Sequence, residues 1–211
     1  LDGTSYYDFS RESLKNFLLL RGKNKLSLIS SLVPKVFLNS YFNLFMNRYL
    51  DRTNSWLLKN ADALVFQSQL SLEMHKKFLS FREQDKFHRI INNGVDTQRF
   101  SPKKDRSRAA NQLNLIISGS SYRAHKRLAD AIILTNALSN DYSGVKLHVL
   151  GDLDTLTAKS IAELEKSRCI FYGKVHYQDL PKFYRKCDLQ LHLSMFDPCP
   201  NVVVEGLACG L

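Results

Sequence analysis

The sequence predicts an α/β fold built on a parallel sheet with helices on both faces. Three observations predict it. From Leu113 onward, short apolar runs alternate with segments whose apolar residues recur at three- and four-residue spacing. Four strand-to-helix steps follow one another, which calls for right-handed crossovers and strands running the same way. The composition, 44% hydrophobic and 24% charged over 211 residues, suits a soluble chain with a sizeable core.

The first part of the chain reads as helical from about Pro34 to Asn60, with Phe37, Tyr41, Leu44, Phe45, Arg48 and Tyr49 in register. Ala63–Phe66 is a short strand, Ser71–Leu79 a helix, and His88–Ile91 a second strand stopped at Asn92-Asn93-Gly94. The polar stretch from Asp96 to Asn111, containing Pro102, marks a domain boundary, so that residues 1–100 and 101–211 form separate domains. In the second, Leu113–Ser118 is a strand that Gly119 ends. A helix from about His125 puts Leu128, Ala131, Ile132, Thr135 and Leu138 on one face. Val145–Leu150 is a strand ended by Gly151, followed by a helix from Asp154 to Lys166 and the strand Ile170–Tyr172. Leu180, Phe183, Tyr184 and Cys187 form a helical stripe, Leu189–Leu193 a fourth strand and Val202–Cys209 a last helix with its glycine cap.

Charge and cysteine content narrow the functional classes. The chain carries a net charge of +10 with a pI near 9.5. The surplus is spread along both halves, with one cluster at Lys103–Arg108 that reads as a solvated linker. Such a field favours anions without choosing among nucleotide, nucleic acid and acidic membrane. The four cysteines form no Cys-x-x-Cys pair, which excludes a zinc knuckle and a dense disulfide framework and fits reduced thiols. The apolar run Phe17–Leu20 is far too short to span a membrane. The chain opens on Leu1 rather than Met and stops at Leu211 beside a glycine cap, so it is expected to be a piece of a longer protein.

In a parallel sheet, ligands bind in the loops leaving the carboxyl ends of the strands. The loop Gly119-Ser120-Ser121-Tyr122-Arg123-Ala124-His125-Lys126 sets cations where a helix begins, against the helix dipole. That arrangement suits phosphate held by Lys126, Arg123 and backbone N–H groups; solvated surface cations are the alternative. It lacks the full glycine-lysine loop of the nucleotide hydrolases. Asp152 and Asp154 resemble a metal-diphosphate pair, but Asp154 as a helix N-cap accounts for them without metal. His148, in strand spacing with Lys146 and Leu150, reads as a packed sheet histidine. Gly173 would let a flat base approach the backbone, with Lys174 or His176 near a phosphate, or the segment is a plain turn. The last loop, Ser194 to Glu205, is the most informative. Two prolines stiffen it, Asn201 suits an N-cap, and Glu205 falls in the first helical turn one place beyond a capping box. Asp197 and Glu205 can then aim into one crevice and accept hydrogen bonds from sugar hydroxyls.

These residues resemble a known family. Asp197-x7-Glu205, within Phe196-Asp197-Pro198-Cys199-Pro200-Asn201-Val202-Val203-Val204-Glu205-Gly206-Leu207-Ala208-Cys209-Gly210, is similar to the Glu-x7-Glu phrase of the retaining, GT-B-fold glycosyltransferases of family 4, with Asp replacing the first Glu. Ile91-Asn92-Asn93-Gly94-Val95-Asp96 resembles that family's interdomain segment, and Ala61–Ser68 a strand-loop unit of its first domain. Leu1-Asp2-Gly3 resembles a loop of its bacterial surface-polysaccharide members. The resemblance implies two Rossmann-like domains, the first an incomplete acceptor-side domain and the second a donor-binding one. It implies that Glu205 binds the donor ribose, with Asn201 and Val202 beside it. Asp197 would contact the transferred sugar and Lys126 the diphosphate. Ser120 stands where the family has an arginine, and Arg123 would replace it from a longer loop. Gly119, Ser120, Gly173 and Lys174 complete the implied donor site.

The implied reaction moves a sugar from a nucleoside diphosphate to a glycan or lipid-linked acceptor. Cations stabilise the leaving diphosphate, and no metal or cofactor is needed. Acceptor-side residues would lie upstream of Leu1, so this piece alone is expected to transfer poorly. A cytoplasmic protein at an anionic membrane face fits the basic surplus. The rival readings are a sugar-nucleotide epimerase of the same architecture, a non-catalytic relative, and a nucleic-acid binder. The last is disfavoured because aromatics such as Phe37, Phe45 and Phe183 sit in apolar stripes.

Overall fold

The computed structural model describes residues 52–79, 81–103, 111–195 and 197–211. The expected helix over residues 34–51, the segment Leu1-Asp2-Gly3 and most of the basic run 103–108 lie outside the described residues. The chain divides into two compact units, Leu1–Asn92 and Asn93–Leu211.

In the first unit, residues 52–60 are helical (α1), followed by β1 (Ala63–Phe66), α2 (Gln69–Leu79), a 3-10 turn and β2 (Phe87–Ile90). β1 and β2 pair in parallel, Ala63 with Phe87 through Phe66 with Ile90. Ser68 caps α2 by accepting the Ser71 N–H at 3.1 Å, and Lys76 and Lys77 suit its negative C-terminal end. Phe66, Leu72 and Phe81 form the core, with the Phe66 and Phe81 rings 5.4 Å apart.

The second unit begins at Asn93, ahead of the expected boundary, because Phe100 is fully buried in its core. Arg185 also donates to the carbonyls of Arg99 and Ser101, both at 2.8 Å, which ties the segment down. Its elements are β3 (Gln112–Tyr122), a 3-10 turn (Ala124–Lys126), α3 (Leu128–Leu138), β4 (Gly144–Leu153), α4 (Thr155–Ser160), β5 (Cys169–Gly173), α5 (Leu180–Tyr184), β6 (Leu189–Gln190) and α6 (Asn201–Ala208). The four strands pair in parallel in the order β5-β4-β3-β6.

Side-chain alternation on β3 explains the layers. Leu115 and Ile117 point to one side, where they meet Val145, Leu147 and Val149 of β4 and Leu128, Ala131 and Ile132 of α3. Ile116 points to the other and packs with Leu150, Tyr184 of α5 and Cys209 after α6. Helices therefore cover both faces, as the alternating pattern predicts. Asp154 caps α4 through the Thr157 N–H at 2.7 Å, and Gly210 closes α6 at φ 84° with Leu211 N–H on the Gly206 carbonyl at 3.0 Å.

Several expected boundaries are corrected. Neither Gly119 nor Gly151 ends its strand: the register shifts between Ser118 and Ser121, and pairing resumes with Ser121 opposite Asp152. Gly151 sits at φ 128°, and a Cβ there would fall on the Gly119 carbonyl, so glycine lets the two backbones approach through the bulge. α4 stops at Ser160, well short of Lys166, whose ammonium group instead takes the carbonyls of Ile161, Ala162 and Leu164 at 2.7–2.8 Å. β6 pairs over only Leu189 and Gln190, because the chain then leaves the sheet for the Ser194–Pro200 loop.

Candidate functional site

The strand order places the site. From β3 the chain builds outward through β4 to β5, then returns to the opposite side of β3 with β6. The reversal lies between β3 and β6, and the crevice beyond the carboxyl ends of two such strands is where open α/β sheets bind ligands. The loops entering that crevice are Arg123–Arg127 and Leu191–Pro200. They are joined by the Met195 N–H on the His125 carbonyl at 3.0 Å.

Lys126 and Asp197 meet there. The Lys126 ammonium lies 3.0 Å from Asp197 Oδ2, both side chains partly buried. Arg123 is exposed one turn earlier, and its carbonyl accepts the Lys126 N–H at 2.9 Å. Two imidazoles complete the neighbourhood. Burial, then Lys126 and Arg123, hold His125 below its ordinary value. His192 is lowered by burial and by Lys126, against the pull of Asp197. Both therefore favour the neutral form beside the cations.

Glu205 stands on α6, one turn past its start rather than in its first turn, because the helix begins at Asn201 and not Val202. It is 7% exposed. Its Oε2 accepts the Tyr184 hydroxyl at 3.1 Å, and that hydroxyl also lies 2.8 Å from Ser118 Oγ. No group among the described residues donates to Glu205 Oε1. Among the described residues only Tyr122 Oη and Asn136 Oδ1 are sealed from solvent without a partner, so Oε1 reaches solvent. Burial raises the carboxyl above its ordinary value, and the Tyr184 hydroxyl draws it back. The result is a carboxylate with one oxygen anchored and one presented.

Asn201 is not the N-cap. Pro200 holds that position, with no side-chain cap on α6. The Asn201 carboxamide instead accepts from Asn93 Nδ2 at 2.6 Å, which also donates to the Cys199 carbonyl at 3.1 Å. Asn93 thereby shapes the loop that carries Asp197. The Val202 carbonyl accepts from Gln190 Nε2 at 2.8 Å, which docks α6 on β6. A Cβ at Gly206 would fall on the same Gln190 carboxamide.

The remaining expected residues sit toward the carboxyl ends of β3 and β5. Gly119 and Ser120 are inside β3 at the bulge, with Ser120 exposed. Gly173 ends β5, the edge strand. Lys174 follows it and lines a cavity of about 370 Å³ with His176, Asp179, Lys182, Phe183 and Lys186. His148 is the half-buried sheet histidine expected, stacked on Tyr172 with centroids 5.8 Å apart. Among the described residues no group of three His, Cys, Asp or Glu side chains is placed to hold a metal ion, and no helix is long and apolar enough to cross a membrane.

Sequence reasoning places Tyr184 only in an apolar stripe and overlooks Ser118 and Gln190. The signal for Tyr184 is its hydroxyl: a tyrosine among Leu, Phe and Cys at a buried position needs a polar partner beneath it.

Residues 100–211 match the family model described as Glycosyl transferases group 1. No curated protein sequence matches the chain. Among solved structures it resembles sucrose-phosphate synthase from Thermosynechococcus elongatus, at TM-score 0.61 and 18% identity, covering 76% of this chain and 42% of that one. It also resembles the Anabaena protein HepE, solved with UDP and glucose, at TM-score 0.60 and 19% identity over 83% of this chain and 55% of that one. A third is the pneumococcal O-GlcNAc transferase GtfA, solved with UDP and GlcNAc, at TM-score 0.59 and 13% identity over 74% and 31%. This chain thus spans about half the length of these proteins or less. At such identities the likeness shows the fold, a Rossmann-like part of a GT-B architecture. With the family model matched over more than half of its residues, the chain belongs to the glycosyl transferases group 1 family.

Proposed function

We propose that the second unit binds the donor of a glycosyltransferase that moves a sugar from a nucleoside diphosphate sugar to a glycan or lipid-linked acceptor, the first unit contributing to the acceptor side. The observation that carries this reading is the half-anchored carboxylate of Glu205, one oxygen on Tyr184 and one facing solvent, on the helix that follows the Lys126–Asp197 pair. Glu205 accepts hydroxyls of the donor ribose. Lys126 and Arg123, with the uncapped N-terminus of α6 at Asn201 and Val202, hold the diphosphate. Asp197 takes hydroxyls of the transferred sugar, Gly119 and Ser120 flank the phosphates, and Gly173 and Lys174 lie toward the base.

Breaking the glycosyl–oxygen bond develops negative charge on the departing diphosphate, and fixed cations in a partly buried crevice stabilise it without metal. The reading extends to a retaining, family 4 enzyme of surface-polysaccharide or glycolipid synthesis, cytoplasmic and peripheral on an anionic membrane. The resemblance of Asp197-x7-Glu205 and the net charge of +10 support those steps. The UDP complexes of HepE and GtfA make UDP the first probe.

Calorimetry with UDP, GDP and ADP tests the donor reading, with Lys126→Ala and Glu205→Ala as controls and a cooperative melt as the folding check. Binding of one nucleotide, weakened roughly ten-fold or more by each substitution, is expected. A folded chain that binds none of the three overturns it.

A further inference from the structure

Ser118 of β3, Tyr184 of α5 and Glu205 of α6 form a chain of polar groups inside an otherwise apolar cluster of Phe100, Ile116, Leu150, Cys187 and Cys209. Their exposures are 8, 0 and 7%. The direction of the bonds is fixed by chemistry. The Tyr184 hydroxyl has one proton and gives it to the carboxylate, so Ser118 donates to Tyr184 Oη. Such a chain is a poor way to gain stability, since apolar groups of the same shape would fill the space without desolvating a carboxylate. Its consequence is geometric: Oε2 is held, and Oε1 is the oxygen left for a ligand.

We infer that Tyr184 is a positioning residue for Glu205, with Ser118 orienting its hydroxyl, so that Oε1 is presented to a vicinal diol in the crevice. The identity of that diol as a nucleotide ribose rests on the proposed function; the positioning itself does not. Among the described residues, the groups that face this network are Ser118 and Tyr122 from β3, Tyr177 from the segment before α5, and Cys209 after α6. Tyr184 is the group that counters the burial of Glu205. Removing its hydroxyl therefore moves Glu205 toward its protonated form, which presents a donor instead of a pure acceptor.

The test is Tyr184→Phe, which keeps the ring against Phe100, at a centroid distance of 6.2 Å, and deletes only the hydroxyl. The Glu205 carboxyl is titrated by carbon NMR in both proteins, and UDP is compared with 2′,3′-dideoxy-UDP. The expected result is a Glu205 midpoint above that of the unsubstituted chain. UDP should weaken roughly ten-fold while the dideoxy analogue is unchanged, because only the diol contact is lost. An unmoved midpoint in folded protein overturns the positioning role. A moved midpoint with both nucleotides weakened equally overturns the link to the diol. If neither nucleotide binds the unsubstituted chain yet the midpoint moves, the donor reading fails and the positioning stands. Ser118→Ala is the second variant, expected to shift the midpoint less and in the same direction; should Tyr184→Phe not fold, an unmoved midpoint in Ser118→Ala overturns the inference.

Discussion

The two faces of the second sheet are built from alternate residues of the same strands, yet they do different work. On the α3 side, Leu115, Ile117, Leu147, Val149 and Ile132 make a hydrocarbon layer, and the one buried hydroxyl of α3, on Thr135, is satisfied by its own helix through the Ala131 carbonyl at 2.7 Å. On the α5 and α6 side, Ile116 and Leu150 share the layer with Ser118, Tyr184 and Glu205. The α3 face is organised for stability. The other gives up some apolar burial to hold the Glu205 carboxylate at the strand-order reversal, which teaches that one part of the candidate site is set into the core while Lys126 and Asp197 stand on the connections above it.

Three substitutions break or sharpen that contrast. Leu147→Ala on the hydrocarbon face leaves a cavity and should cost about 2–5 kcal/mol, read from the urea midpoint. Nucleotide affinity measured well below that midpoint should not change, and a loss of affinity as large as the loss of stability would erase the distinction between the faces.

Glu205→Gln should act with the opposite sign. It removes a desolvated charge while keeping the shape, so stability at neutral pH should rise on the order of 1 kcal/mol. Nucleotide affinity should fall at least about ten-fold. The pH dependence follows from the raised carboxyl. The folded state keeps a proton that the unfolded chain has released, so Glu205 favours folding in acid and that advantage is lost as pH rises through the raised midpoint. A denaturation series across pH 4–8 should lose this component in the variant.

The smallest effect is expected at His148. Its Nδ1 lies 2.9 Å from the Tyr172 hydroxyl and its Nε2 3.3 Å from Asn114 Oδ1, an arrangement that suits the neutral ring. Burial, then Lys146 and Lys186, lower it. The folded state thus excludes a proton that the unfolded chain takes up, and stability is lost as pH falls below about 6.5. His148→Gln should flatten that acid limb slightly. His125 and His192, lowered in the same sense, should retain the rest.

Much of this architecture is legible in the chain. The spacing of Leu128, Ala131, Ile132 and Thr135 predicts the face of α3, and all four are buried. Asp154 reads as a cap and is one. Gly119 and Gly151 mislead, because a glycine that ends a strand and a glycine that lets two strands approach at a bulge look alike without the partner strand. Asn201 misleads for a similar reason. A capping residue type stands at a helix start, but Asn93, far away in sequence, takes its carboxamide.

For the site, the types and spacing of Lys126, Asp197 and Glu205 suggest anion and hydroxyl recognition, while their partners stay hidden. Periodicity is local, since the direction of a side chain repeats with the backbone that carries it. The sequence by itself therefore determined the α/β class, the sheet-forming runs and most helix faces. Only the tertiary structure decided that β6 returns beside β3, that Lys126 meets Asp197 across that reversal, and that Tyr184 lies under Glu205. Each of those pairs joins groups far apart in the chain, and they meet only because the buried faces of the strands and helices leave one way to pack.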